Sequence, residues 1–310
     1  MDHKQNLKDA WQFTQANPKL VNYYGILPSM LVLSFNLGIF SYQFFNLKYS
    51  PKLTDSAQSF ASRMFDFIFG FFKEYPEFVF PSLVVLGIYI LLYFFIPTFC
   101  EGALVQLIAR KHNKQAVRLS DGLKYGLRSF LKLLKFKLVT NSFKFTSILM
   151  EMAVILSYLG RDFFQILGPI FILVLILSLI VAILFTYAES FIIIDDDGII
   201  DSLKKSTGMV VEHWRETMFL FVLMMLVALR VLFNIIVVLG LPFLVSLLFT
   251  VIVTYTNLPL GQIFILLVSI FSIRFISKLA GTLLVFTKTV WTFTFLELDK
   301  KEILSARDSA

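Results

Sequence analysis

Residues Leu167–Ala188 read LGPIFILVLILSLIVAILFTYA, a stretch of 22 residues without a charge. A helix needs about 20 mostly apolar residues to cross a hydrocarbon core of about 30 Å. The run is continuous rather than alternating, so it is predicted to be a spanning helix and not a barrel strand. Similar runs occupy Tyr23–Phe45, Phe78–Phe99, Phe136–Tyr158, Thr217–Leu239 and a last stretch ending near Phe295. The whole chain agrees: 57% of its 310 residues are hydrophobic and 16% charged, with a mean hydropathy of +0.79. A soluble domain carries about a quarter charged residues. These proportions exclude a secreted disulfide scaffold, a disordered chain and an ordinary cytosolic enzyme. The single cysteine, Cys100, forms no internal disulfide.

Basic residues sort by side. Seventeen of the 28 fall at Lys4, Lys8 and Lys19, in the 110–135 segment, at Lys204, Lys205 and Arg215, and at Lys300, Lys301 and Arg307. Five, Lys48, Lys52, Arg63, Lys73 and Arg161, fall on the other side of the predicted spans. Basic loops stay cytoplasmic, so both termini are expected in the cytoplasm and the span count is even. The polar first 22 residues and the lack of a small-residue cleavage site predict an uncleaved first span. The most economical placement is a bacterial cytoplasmic membrane.

Within this pattern a unit recurs. Leu7-Lys8-Asp9-Ala10-Trp11, Leu119-Ser120-Asp121-Gly122-Leu123 and Ile199-Ile200-Asp201-Ser202-Leu203 each put a small residue after Asp and a large apolar one next. Thr98-Phe99-Cys100-Glu101, Thr186-Tyr187-Ala188-Glu189 and Thr294-Phe295-Leu296-Glu297 close the even-numbered spans. Repeats of approximately 7–101, 119–189 and 199–297 follow, inside a single membrane domain of residues 1–310. Each would be a cytoplasmic amphipathic helix, a span out, an outer insert and a span back. Asp9, Asp121 and Asp201 suit the positive end of a helix. Glu101, Glu189 and Glu297 read as boundary markers, or as a ring of carboxylates at the cytoplasmic mouth.

The outer inserts differ. Residues 46–77 carry Phe60, Met64, Phe65, Phe67, Ile68, Phe71 and Phe72, the spacing of an aromatic interfacial helix. Residues 240–273 are apolar but interrupted by Pro242 and Asn257-Leu258-Pro259. Their arms would be about 24 and 21 Å long if helical, short for a full crossing. A re-entrant or outer-leaflet hairpin is expected, with an eight-span chain as the alternative.

Candidate functional residues are few. Residues 119–135 place Leu119, Leu123, Leu127, Phe130, Leu131 and Leu134 at helical spacing, with Lys124, Arg128, Lys132 and Lys135 on the remaining face. Such a helix suits anionic lipid headgroups, at about 1 kcal/mol per basic residue, or serves as a topology signal alone. Nucleic acid is a poor partner for the net charge of +7, because the cations sit where topology requires them. Lys144 and Glu151 are seven apart in the third predicted span, and Arg230 and Asn234 are i, i+4 in the fifth. Ionisable groups within a bilayer are costly, so these four are candidates for an intramembrane polar cavity, with helix pairing as the plainer reading. Asp195-Asp196-Asp197-Gly198 reads as a turn rather than a Mg²⁺ site, since consecutive acids point in different directions. His3, His112 and His213 are scattered, and no catalytic motif, metal site or cofactor is expected.

Gly198-Ile199-Ile200-Asp201-Ser202-Leu203-Lys204-Lys205-Ser206, followed by Trp214 and a long apolar run, resembles the polytopic membrane domain attached to some bacterial glycerophosphodiester phosphodiesterases and related stand-alone proteins. The likeness covers roughly residues 100–298. It implies a membrane module without the soluble phosphodiesterase barrel or its catalytic residues. The expectation is therefore an all-α integral membrane protein of about six transmembrane helices in three hairpins. Its expected role is non-enzymatic, organising or associating with lipid or partner proteins. The alternative is a small-solute or lipid transporter that uses the intramembrane charges.

Overall fold

A computed structural model describes residues 3–53, 58–141, 143–256 and 260–308, with side chains other than those of residues 3, 145, 239, 241–256, 260–266 and 302–308. Every element found among them is helical: α1 (His3–Ala16), α2 (Ile26–Lys48), α3 (Phe60–Glu74), α4 (Val79–His112), α5 (Asp121–Asn141), α6 (Phe145–Leu159), α7 (Arg161–Leu184), α8 (Ala188–Ile194), α9 (Ile199–Glu212), α10 (Trp214–Thr256) and α11 (Leu260–Asp308). Short helical turns over Pro18–Leu20 and Val21–Gly25, the latter π-helical, lead into α2.

Five stretches are long and apolar enough to cross a membrane: Pro18–Lys48, Pro76–His112, Arg161–Ile194, Trp214–Val238 and Leu267–Lys301. Four of them contain the expected span and extend past its ends, because a helix continues into the interface after its apolar run stops. Trp214–Val238 begins before the expected Thr217 and stops one residue short of Leu239. The third expected span, Phe136–Tyr158, is corrected. It is shared between α5 and α6, whose axes bend by 41°, and counts as a sixth crossing only if the bent pair forms one span. Thr140, Asn141, Lys144, Thr146 and Ser147 crowd this break, and their side chains compete for backbone groups that an unbroken helix would satisfy internally. The basic stretch expected as a surface helix and the start of that apolar run are thus one element, α5. The expected 240–273 hairpin falls on Asn257–Pro259, which lie outside the described residues, between α10 and α11.

The chain divides into two compact units. The first comprises Met1–Met30, Cys100–Leu127 and Glu212–Ala310. Here α1 lies on α11: Trp11 meets Phe286 edge-on at 5.6 Å, Phe13 meets Phe293 at 5.5 Å, and the Asn6 amide donates to Thr294 at 2.9 Å. Beyond α1, the first span presses on α11 through glycines. A Cβ on Gly25 would stand 2.8 Å from the Gly281 carbonyl oxygen, and one on Gly281 2.9 Å from the Gly25 carbonyl carbon. Small residues let two spanning backbones approach this closely, where packing rather than hydrophobic expulsion drives association. Tyr24 donates to the Leu119 carbonyl at 2.7 Å, and Lys111 to Asn17 at 2.6 Å.

The second unit comprises Leu31–Phe99 and Arg128–Val211. Phe35 stacks on Tyr93 at 4.1 Å, and Phe95 on Phe130 at 5.1 Å. Asn46 donates to the Ser157 hydroxyl at 2.9 Å, and Ser50 to the Ser157 carbonyl at 2.5 Å. Between α6 and α7 the chain reverses at Gly160, whose φ of 87° suits glycine. Ser206 of α9 bridges the break between α7 and α8: it donates to the Leu184 carbonyl at 2.7 Å and accepts from the Tyr187 N–H at 3.2 Å. Helix α3 starts at Ser59, whose hydroxyl accepts from the Ser62 N–H at 3.2 Å, and it buries none of its residues.

Candidate functional site

Between the helices of the second unit lies a cavity of about 500 Å³. Its polar lining includes Asn36 of α2, Lys137 and Asn141 of α5, Lys144, and Ser147 and Glu151 of α6. The break between α5 and α6 creates this grouping, since it turns the end of one helix and the start of the next toward the same space. Lys144 takes the N-cap position of α6, not the middle of a continuous span. Lys137 and Lys144 act on each other electrostatically, and the charge of Glu189 acts on both. Exposed apolar groups, Phe40, Phe94 and Leu138, complete the wall. Lys144 and Glu151, paired by sequence spacing, therefore share one cavity. Arg230 and Asn234 do not line it; both are exposed on α10. Sequence reasoning missed Asn36 and Asn141. The polar cluster around residue 141 was the available signal.

On α5, Leu123, Leu127 and Leu131 form an exposed row at 60–70% exposure. The opposite side is buried through Ser129, Phe130, Leu133 and Phe136. Lys124 and Lys135 are exposed beside the leucine row. The other two cations of this face have a protein partner: Arg128 pairs with Asp196 at 2.7 Å and Lys132 with the same carboxylate at 2.6 Å. Lys132 also donates to the Asp196 carbonyl at 2.5 Å. The two cations hold the Asp196 carboxyl below the usual carboxylate range, chiefly through the Lys132 hydrogen bond and then that of Arg128. Asp197 pairs with Lys205 at 2.7 Å, which raises the Lys205 ammonium above the usual lysine range. The Asp195–Gly198 segment is a turn, with φ of 60° at Asp196, and it also serves as an anchor for α5 and α9.

The boundary acids occupy unlike surroundings. Asp121 accepts from the Arg118 N–H at 2.8 Å, the reach-back bond of a helix start. The Asp201 carboxylate lies against Gly198 in the same i−3 relation. Asp9 is instead in the body of α1 and accepts from Gln5 at 2.8 Å. The residue after each of these acids is buried: Ala10, Gly122 and Ser202. Glu101 forms an ion pair with Lys288 of α11, their side chains 10% and 19% exposed. Glu297 is exposed, and its charge and that of Asp9 both act on His112. Among the described residues no group of three or more His, Cys, Asp and Glu side chains is arranged to hold a metal ion.

Helices of this length and apolarity, with polar groups gathered between them, define the class as an integral membrane protein. The chain belongs to the family described as Domain of unknown function (DUF7847), which matches it over residues 1–296. No curated protein and no solved structure matches it.

Proposed function

We propose that this chain is a non-enzymatic, multi-pass protein of a bacterial cytoplasmic membrane, with both termini cytoplasmic, that associates with anionic lipid through α5. The observation that carries this reading is the exposed row Leu123, Leu127 and Leu131 beside the exposed cations Lys124 and Lys135. Leucines at that position enter the acyl boundary, and lysines beside them meet phosphates. Arg128 and Lys132 contribute less to lipid than their number suggests, because Asp196 already neutralises part of their charge. Three hairpins, each introduced by a surface helix, remain the proposed architecture. The separate helices α1 and α9 and the buried Ala10, Gly122 and Ser202 support it. Kinship with the membrane domain of glycerophosphodiester phosphodiesterases is proposed on residues 198–214 alone.

The test is headgroup selectivity. The full chain is reconstituted in phosphatidylcholine, and spin-labelled phosphatidylglycerol and phosphatidylcholine are compared at its surface. Selectivity for phosphatidylglycerol should fall by half or more in Lys124→Gln/Lys135→Gln, and should weaken at high salt because exposed charges are screened. Selectivity unchanged by both treatments would rule the reading out. The cavity around Lys144 and Glu151 favours a second reading, a lipid or small-solute transporter. That reading requires Lys144→Ala to abolish movement across proteoliposomes while the protein still folds.

A further inference from the structure

The cavity of the second unit has two electrically distinct ends. Lys137 and Lys144 both line it, and the charge of Glu189 acts on each, so their two positive charges are offset only in part. Glu151 lies seven residues beyond Lys144, about 10 Å along the helix axis. Lys144 and Glu151 form no ion pair with each other among the described residues, although both line the same space. Both residues are exposed at a bent helix pair apolar enough to count as one crossing, where separated charges are costly unless something completes them. Asn36, Asn141 and Ser147 add amide and hydroxyl groups to the same lining. A ligand that fits carries an anion at one end, a hydrogen-bonding cation at the other and little charge overall.

The walls say what the rest of that ligand is. Phe40, Phe94 and Leu138 are 49%, 45% and 59% exposed at the cavity. They belong to helices that are long and apolar enough to cross the membrane, or to the bent pair. A soluble zwitterion would leave these groups uncovered, whereas acyl chains would cover them. The volume of about 500 Å³ accommodates a headgroup with the first part of its chains. We infer that this cavity binds one aminophospholipid, its phosphate diester on Lys144 and its primary ammonium on Glu151. The site is separate from the leucine and lysine row of α5 and takes a different headgroup.

The test uses the purified full chain in neutral detergent, titrated with phosphatidylethanolamine, phosphatidylglycerol, phosphatidylcholine or inorganic phosphate. Bound molecules are counted by native mass spectrometry. One phosphatidylethanolamine per chain should bind, in preference to the other two lipids. Lys144→Gln should weaken it about tenfold, the loss of one charge-assisted hydrogen bond, and Lys144→Arg should restore it. Glu151→Gln should weaken phosphatidylethanolamine and strengthen phosphatidylglycerol, reversing the preference. Thermal melting identifies any variant that has lost its fold, and Asn36→Ala then serves as the second probe with the same direction of effect. Equal binding of the two lipids by the wild type overturns the inference. So does a phosphatidylethanolamine preference that survives Glu151→Gln. Competition by inorganic phosphate at the same concentration as lipid overturns it as well, since a free anion would then be the ligand. Loss of binding in Lys124→Gln/Lys135→Gln but not in Lys144→Gln would overturn this site and leave the α5 surface reading standing.

Discussion

The Glu101–Lys288 pair joins α4 to α11, two elements nearly two hundred residues apart in the chain. Glu101→Gln removes the carboxylate and leaves the ammonium of Lys288 in a site where its side chain is only 19% exposed. Breaking a buried pair in this way costs about 3–5 kcal/mol. Residual exposure lets the Lys288 ammonium recover some hydration, so the loss expected here is about 2–3 kcal/mol. Replacing both, Glu101→Gln with Lys288→Met, leaves no uncompensated charge and should return stability to within about 1 kcal/mol of the wild type. Cys100 provides the assay, being the chain's single cysteine and 6% exposed beside Glu101. A thiol-reactive dye reports unfolding as this thiol becomes accessible, either on heating or in graded denaturing detergent. The reasoning fails if the two substitutions show a coupling below about 0.5 kcal/mol. It fails equally if Glu101→Gln costs no more than Glu212→Gln on the exposed end of α9.

Gly281→Ala would bring a methyl to 2.9 Å from backbone atoms of Gly25 and Ile26. It should lower stability by about 1–3 kcal/mol, read by the same dye, while Gly38→Ala, which meets nothing within 4 Å, should cost nothing. The Asp196 carboxyl should titrate below a free aspartate in carboxylate NMR, and return toward the ordinary value in Lys132→Gln and further in Lys132→Gln/Arg128→Gln. Because the folded value is the lower one, the stabilisation is present above the unfolded carboxyl pKa and is lost as pH falls through the folded value. Its size should stay under about 1 kcal/mol, as expected of exposed pairs.

The sequence made the spans legible because hydropathy averages over about 20 residues and needs no partner. That same averaging hid the break between α5 and α6: Thr140, Asn141, Lys144, Thr146 and Ser147 are outweighed by Phe136, Leu138, Phe145 and Ile148 around them. Lys144 and Glu151 could be picked out as costly charges, yet their companion Asn36 could not, because α2 reaches that space only through tertiary packing. Asp196 gave no sign of its partners, which lie 64 and 68 residues earlier in the chain. The Asp-small-apolar pattern was visible. What the small residue does, sitting buried under its helix, became readable only with neighbours in view.

The crossing at Gly25 and Gly281 also sets an order of events during synthesis. The two glycines are 256 positions apart. At about 5–20 residues per second, the first span waits about 13–50 s before its partner has been made. Throughout that interval the first span presents its glycine face to lipid or to the insertion machinery, and α1 has no α11 to lie against. The first unit is therefore the last part of the protein to be completed, although it contains the first residues made. A chain that stops short of α11 can build the second unit's cavity but leaves its own beginning without a place to dock.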